Sequence, residues 1–295
     1  MRRQIIVVFL SLFCLLVPPA WSADRGALFK VEGSGHTMYL FGTIHVGKPE
    51  FYPLEPRIVA AVTGASTLAV EVDTDANLPA LLEARNRYGL YAAGAAAGDM
   101  TPDLRKRTRR ALGKAGFDAD SVANMRPWLL ATVLAVAEYA AQGYRTDLSV
   151  ESHLISLAKA SKVPVLSLET AAEQLSPFDR LSEAEQLRFL DESVTQIESG
   201  RQRTEVRQIV EAWRTADRAT FEAIAARAAA DTTLSGRFFQ QVLLDERNVT
   251  LAAKLAGLLQ REDKAVAAIG MLHLVGGNSV PALLSARGLS VERVY

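Results

Sequence analysis

Two stretches, "YLFGTIHVG" at residues 39–47 and "AAIGMLHLVGG" at residues 267–277, decide how this chain is read. Each is an apolar, strand-like run that stops at a glycine and presents a histidine three residues later. Short buried runs of this kind are strands of an interior sheet. If both belong to one parallel sheet, their carboxyl ends lie along a single edge, where α/β sheets place ligands. Glycine at such a corner permits close backbone approach or a positive φ.

The segments around them follow the same grammar. "ALFKVEG" and "TMYLFG" are β-rich runs joined by Gly33, Ser34, Gly35 and His36, a hairpin signal. A helical segment from Pro56 to Thr63 leads to the strand "STLAVEVD". From Leu78 to Ser161 the pattern is helical, and "MRPWLLATVLAVAEYAAQ" is too interrupted by Arg126, Trp128 and Glu138 to span a membrane. "KVPVLSLE" is the next strand; Thr170 with Glu173 and Ser182 with Glu185 are capping boxes that start helices. A long helical region follows from about Leu181 to Glu262, with breaks expected near Gly200, Thr215 and Gly236. "KAVAAIG", "NSVPALLSARG" and "LSVERVY" close the chain as strand, helix and strand. The expected fold is α/β: a mainly parallel central sheet flanked by helices, with a large helical insertion, in a single domain over residues 23–295.

Residues 1–22 stand apart. "MRR", the apolar run "QIIVVFLSLFCLLVPP" and the small-x-small triplet Ala20-Trp21-Ser22 describe a secretory signal peptide. The expected mature chain is exported, to the periplasm of a bacterium, and carries no membrane span. Cys14, the single cysteine, lies in that leader, so disulfides, thiolate metal sites and a cysteine nucleophile are excluded from the mature protein. Loss of Arg2 and Arg3 leaves 31 basic against 33 acidic side chains, which is no footprint for nucleic acid. The one basic cluster, "RKRTRR" at residues 105–110, reads as a solvated helix face.

The chemistry concentrates at strand ends. His45 and His273 end the two opening stretches, "LAVEVD" delivers Glu71 and Asp73, and "VLSLE" delivers Glu169. Two imidazoles with one or more carboxylates on one sheet edge suit Zn²⁺, Mn²⁺ or a similar ion, so His45, His273 and Glu71 are the candidate metal ligands. Asp73 is the weaker acid, and Glu169 can equally serve the helix that Thr170 caps. His36, in the hairpin turn, and His153, on a helix, read as packing or surface residues. Gly276 and Gly277 of "VGGNS" form either an anion-binding nest for a substrate or a tight turn.

Taken in order, "YLFGTIHVG", "LAVEVD", "MRPW", "VPVLSLETAAEQL", "DERN" and "AAIGMLHLVGGNSVPALLSARGLSVERV" resemble the TraB/GumN family, with the Tiki metalloproteases as distant relatives, across nearly all of the mature chain. The resemblance implies an α/β fold, related in outline to erythromycin esterase-like and haem-binding ChaN-like proteins, with both histidines and the acids facing a shared site. His45, Glu71 and His273 fall on its motif positions; Glu169, Arg247 and Asn248 fall in its other blocks. The expected function is a periplasmic metal-dependent hydrolase, a peptidase in the first instance, acting on a peptide or small-molecule substrate with a divalent Mn, Zn or Co ion. Glu71, Glu169 and Arg247 are its expected catalytic residues, and Asn248, Gly276 and Gly277 its substrate contacts. Arg247 can steady an oxyanion or simply pair with Asp245 or Glu246. The alternative function is non-catalytic binding of haem or a metal ion.

Overall fold

The computed structural model describes residues 25–74, 76–92 and 100–295; the segment expected to be a signal peptide, with Cys14, lies outside them. Six strands form one sheet: β1 (Leu28–Gly33), β2 (His36–Thr43), β3 (Leu68–Val70), β4 (Val165–Ser167), β5 (Ala265–Gly270) and β6 (Ser290–Arg293), in the spatial order β4-β3-β5-β2-β1-β6. The first four of that order run parallel to one another, whereas β1 is antiparallel to both β2 and β6. The expected α/β architecture with a mainly parallel sheet is the one observed.

Each element has a local cause. The β1–β2 hairpin turns on Ser34 and Gly35, both at positive φ, as a two-residue hairpin connection requires. β5 is buried along its whole length, and its sequence "AVAAIG" is that of a strand covered on both faces. The described residues form twelve α-helices: α1 (Pro56–Thr63), α2 (Leu78–Ala84), α3 (Pro102–Lys114), α4 (Pro127–Ala140), α5 (Val150–Ala160), α6 (Ala171–Leu175), α7 (Glu183–Glu198), α8 (Arg201–Arg214), α9 (Arg218–Ala230), α10 (Leu234–Phe238), α11 (Arg247–Arg261) and α12 (Val280–Ala286). Both capping boxes are formed, Thr170 with Glu173 at α6 and Ser182 with Glu185 at α7.

Two boundaries differ from expectation. β3 ends at Val70 because Glu71 and the residues after it leave the strand to build the site. The third break in the long helical region falls at residues 231–233 instead of at Gly236. There the Asp231 carboxylate accepts from the Thr233 amide, and Thr233 in turn caps α10, which contains Gly236. Side chains that bond their own backbone stop a helix more firmly than one glycine does.

The main core joins the sheet to α1, α5, α8, α11 and α12 through residues such as Phe41, Leu68, Leu154, Trp213 and Leu255. Separate apolar clusters hold the inserted helices together: Leu104, Leu112, Leu134 and Leu190 in one, Trp128, Phe178 and Phe238 in another. Within the basic run, Arg107 turns onto α7 to pair with Asp191 and Glu198, while Arg105, Lys106, Arg109 and Arg110 are exposed. No helix of the described residues is long and apolar enough to cross a membrane.

Candidate functional site

Because β2, β3, β4 and β5 are parallel, the residues that follow them meet at one edge. His45 comes two residues after β2, Glu71 directly after β3, Glu169 two residues after β4, and His273 in the short 3₁₀ turn Met271–Leu274 after β5. Gly270, the last residue of β5, lies at the centre. A methyl group added there would stand 3.2 Å from Glu71 Oε1, 3.4 Å from His45 Nε2 and 3.6 Å from His273 Cδ2. The glycine is needed because any side chain would enter the space these three groups share.

Glu71 is buried, and both its oxygens are engaged. Oε1 accepts from the Gly270 amide at 2.7 Å, and Oε2 accepts from Arg247 Nη2 at 2.6 Å. Arg247 also donates to Glu169 from Nε at 2.9 Å and from Nη2 at 2.5 Å, and the Gln174 amide reaches Glu169 at 3.1 Å. One guanidinium therefore holds two buried carboxylates, the fork geometry for which arginine is suited. Of the two partners open to Arg247 in the sequence, its neighbours are not the ones used: Glu246 pairs with Arg180, and Asp245 accepts from Gln240.

The two histidines differ. His273 is buried, its Nδ1 lies 2.6 Å from Asn248 Oδ1, and its Nε2 lies 3.9 Å from Glu71 Oε1. Burial lowers its pKa, more than Glu71 raises it, so His273 is neutral at pH 7. His45 has 69% of its side chain exposed, with Nδ1 2.9 Å from Glu151 Oε1. Glu151 also accepts from the Thr43 hydroxyl. The Glu151 charge is the largest influence on His45 and raises its pKa to about 10, with solvent across the open face of the ring screening part of that attraction. For Glu71, burial pushes the carboxyl up, but the imidazoles, Arg247 and the Gly270 amide together outweigh it and hold the pKa at about 2.

The remaining candidates are placed as follows. Asp73 is buried and turned away, binding Lys159 at 3.1 Å and accepting from the Ala76 amide. Asn248 is 2% exposed, its amide spent on His273 and on the Asn278 carbonyl, to which it donates at 2.9 Å. Gly276 and Gly277 are exposed in the turn before α12. His36 bonds the Leu259 carbonyl, and His153 stacks on Tyr52 with ring centroids 4.0 Å apart, both packing roles. Sequence reasoning missed Glu151, Thr43 and Gln174. Glu151 looks like an ordinary first-turn acid of α5, and nothing local marks it.

In kind, the side chains of His45, His273 and Glu71 suit a divalent ion. They offer two imidazole nitrogens and a carboxylate oxygen, and each ring has its Nδ1 held by an oxygen acceptor, the usual support of a metal-ligating histidine. They are not drawn together into a finished shell: among the described residues no three His, Cys, Asp or Glu side chains are grouped to hold a metal ion.

Fold and site define an α/β protein whose polar centre is gathered at the carboxyl edge of a parallel sheet. The sequence profile of the TraB/PrgY/gumN family matches residues 27–293, and the chain belongs to that family. It is 25% identical over 284 residues to the uncharacterized protein YbaP of Escherichia coli (strain K12), covering 91% of this chain and 97% of that one, and equally to YbaP of Shigella flexneri. An uncharacterized protein of Treponema pallidum (strain Nichols) is 23% identical over 199 residues, 62% of this chain and 59% of that protein. No solved structure matches.

Proposed function

We propose that the protein is a metal-dependent hydrolase, a peptidase in the first instance, exported to the periplasm by the leader at residues 1–22. The observation that carries the site assignment is the convergence of His45 Nε2, His273 and Glu71 Oε1 around Gly270, with Arg247 bridging Glu71 and Glu169 behind them. His273, Glu71 and, once its Nε2 proton is displaced, His45 would hold a divalent Mn, Zn or Co ion, which supplies a Lewis acid and a bound water of lowered pKa.

The chain's own residues perform the rest. Glu151 and Asn248 orient the two rings. Arg247 holds Glu71 and Glu169 in place, and Glu169, which is not among the ion's ligands, is the carboxylate that would take a proton from water. The same guanidinium, 17% exposed, carries fixed positive charge where an oxyanion develops. A site for capture without turnover has no use for that buried clamp, and this favours catalysis over the haem- or metal-binding alternative.

The test is cleavage of a peptide library by the purified mature protein after chelator treatment, and again after adding back Mn²⁺, Zn²⁺ or Co²⁺, with ion binding followed by calorimetry. Activity lost to the chelator and restored by one ion is expected. Full activity in stripped protein overturns the metal requirement and leaves His45 and Glu151 as the acid–base pair. Tight ion or haem binding with no cleavage favours the binding alternative.

A further inference from the structure

We infer that Asn248 is a positioning residue that fixes the tautomer of His273, with the ring proton on Nδ1 and a bare Nε2 turned toward Glu71. The argument begins at a backbone carbonyl. Asn278 C=O can only accept, so the Asn248 group 2.9 Å from it must be the amide NH₂. That settles which way round the Asn248 side chain lies, and its Oδ1 then faces His273 Nδ1 at 2.6 Å. An amide oxygen can only accept, so Nδ1 must carry the proton.

The competing arrangement puts the proton on Nε2, aimed at the Glu71 carboxylate. That separation is 3.9 Å, beyond hydrogen-bond distance, whereas the Asn248 contact is short. Moving the proton to Nε2 would also leave two acceptors, Nδ1 and Oδ1, face to face in a buried site, an unsatisfied pair worth more than the distant attraction returns. The turn through Gly276 and Gly277 acquires a purpose in this light. It holds the Asn278 carbonyl over Asn248, just before Ser279 caps α12. At 2% exposure Asn248 is closed to substrate, so its effect on the centre passes through His273.

The test uses the full mature chain labelled with ¹⁵N-histidine, metal-stripped at neutral pH, in a long-range ¹H–¹⁵N correlation spectrum. Only four histidines are present, and the His273→Ala spectrum assigns the signal. A protonated, pyrrole-like Nδ1 and a pyridine-like Nε2 are expected for His273. Asn248→Leu should move the proton to Nε2 or average the two signals, and should lower kcat by about 10- to 100-fold with little change in KM.

A wild-type His273 that is protonated on Nε2, or on both nitrogens, overturns the inference, as does an Asn248→Leu protein that keeps the wild-type pattern. If Asn248→Leu does not fold, the wild-type spectrum decides alone. Only the effect on kcat rests on the hydrolytic function: a protein that cleaves nothing yet shows the expected spectrum removes that function and leaves the tautomer assignment standing.

Discussion

The two Gly-x-x-His corners have the same pattern and sit on adjacent parallel strands, but they are offset by one residue. Thr43, not Gly42, is the register partner of Gly270, and Gly42 lies opposite Ile269. Side chains alternate along a strand, so one step reverses the face. A methyl group on Gly42 would therefore meet Met271 Sδ at 2.5 Å and Leu274 Cδ1 at 3.0 Å, in the apolar core, whereas one on Gly270 would meet Glu71 and His45. Their histidines diverge in the same way. His273 is buried beside an amide and neutral; His45 is open to solvent beside a carboxylate and favours the charged form. A repeated motif has produced two unlike groups aimed at one carboxylate.

Replacing the histidines gives the largest expected effect. His45→Ala and His273→Ala should each reduce turnover by roughly 10²- to 10⁴-fold, but His273→Ala should lower the melting temperature more, since it empties a buried position whereas His45 is largely exposed. Equal destabilisation by the two would erase the difference between the corners.

The glycines come next. Gly42→Ala should destabilise the fold by about 1–3 kcal/mol through overpacking against Met271, with the activity of the folded fraction retained. Gly270→Ala should reverse the balance, with a smaller loss of stability and a larger loss of turnover. Denaturant unfolding beside a cleavage assay separates the two; the same profile for both would show that the faces are not functionally distinct.

Glu71, shared by both corners, predicts an acid-side effect. Its folded carboxyl lies at about 2, below an ordinary value of 4.5. Its contribution to stability is therefore complete above about pH 4.5 and is lost as the pH falls toward 2. Glu71→Gln should flatten the fall in melting temperature over that interval; an unchanged acid limb would mean that His273, His45 and Arg247 do not together hold this carboxylate ionised.

The smallest effect lies outside the centre. Thr170→Ala removes the side-chain cap on the Glu173 amide and should cost about 1 kcal/mol, with ion binding and turnover retained. Loss of activity without loss of stability would draw α6 into the site.

Much of this protein could be read from local sequence because local physics governs it. Alternating or continuous apolar runs marked the strands, and Thr170 with Glu173 and Ser182 with Glu185 marked helix starts, since each box satisfies its own orphan amides within four residues. The two histidines and Glu71 were visible as polar residues ending apolar runs. The partners of Arg247 were not. Its neighbours Asp245 and Glu246 were the nearer acids in sequence, yet a charge buried at the sheet edge takes the carboxylates buried with it, 78 and 176 residues away. Glu151 and Asn248 were hidden for the same reason, because their roles depend on contacts across the fold. The sequence by itself determined the strands, the helix starts and which polar residues end the apolar runs. Only the tertiary structure decided which glycine faces the core, which histidine is charged and which acids share Arg247, because strand register and burial are set by the packing of distant segments.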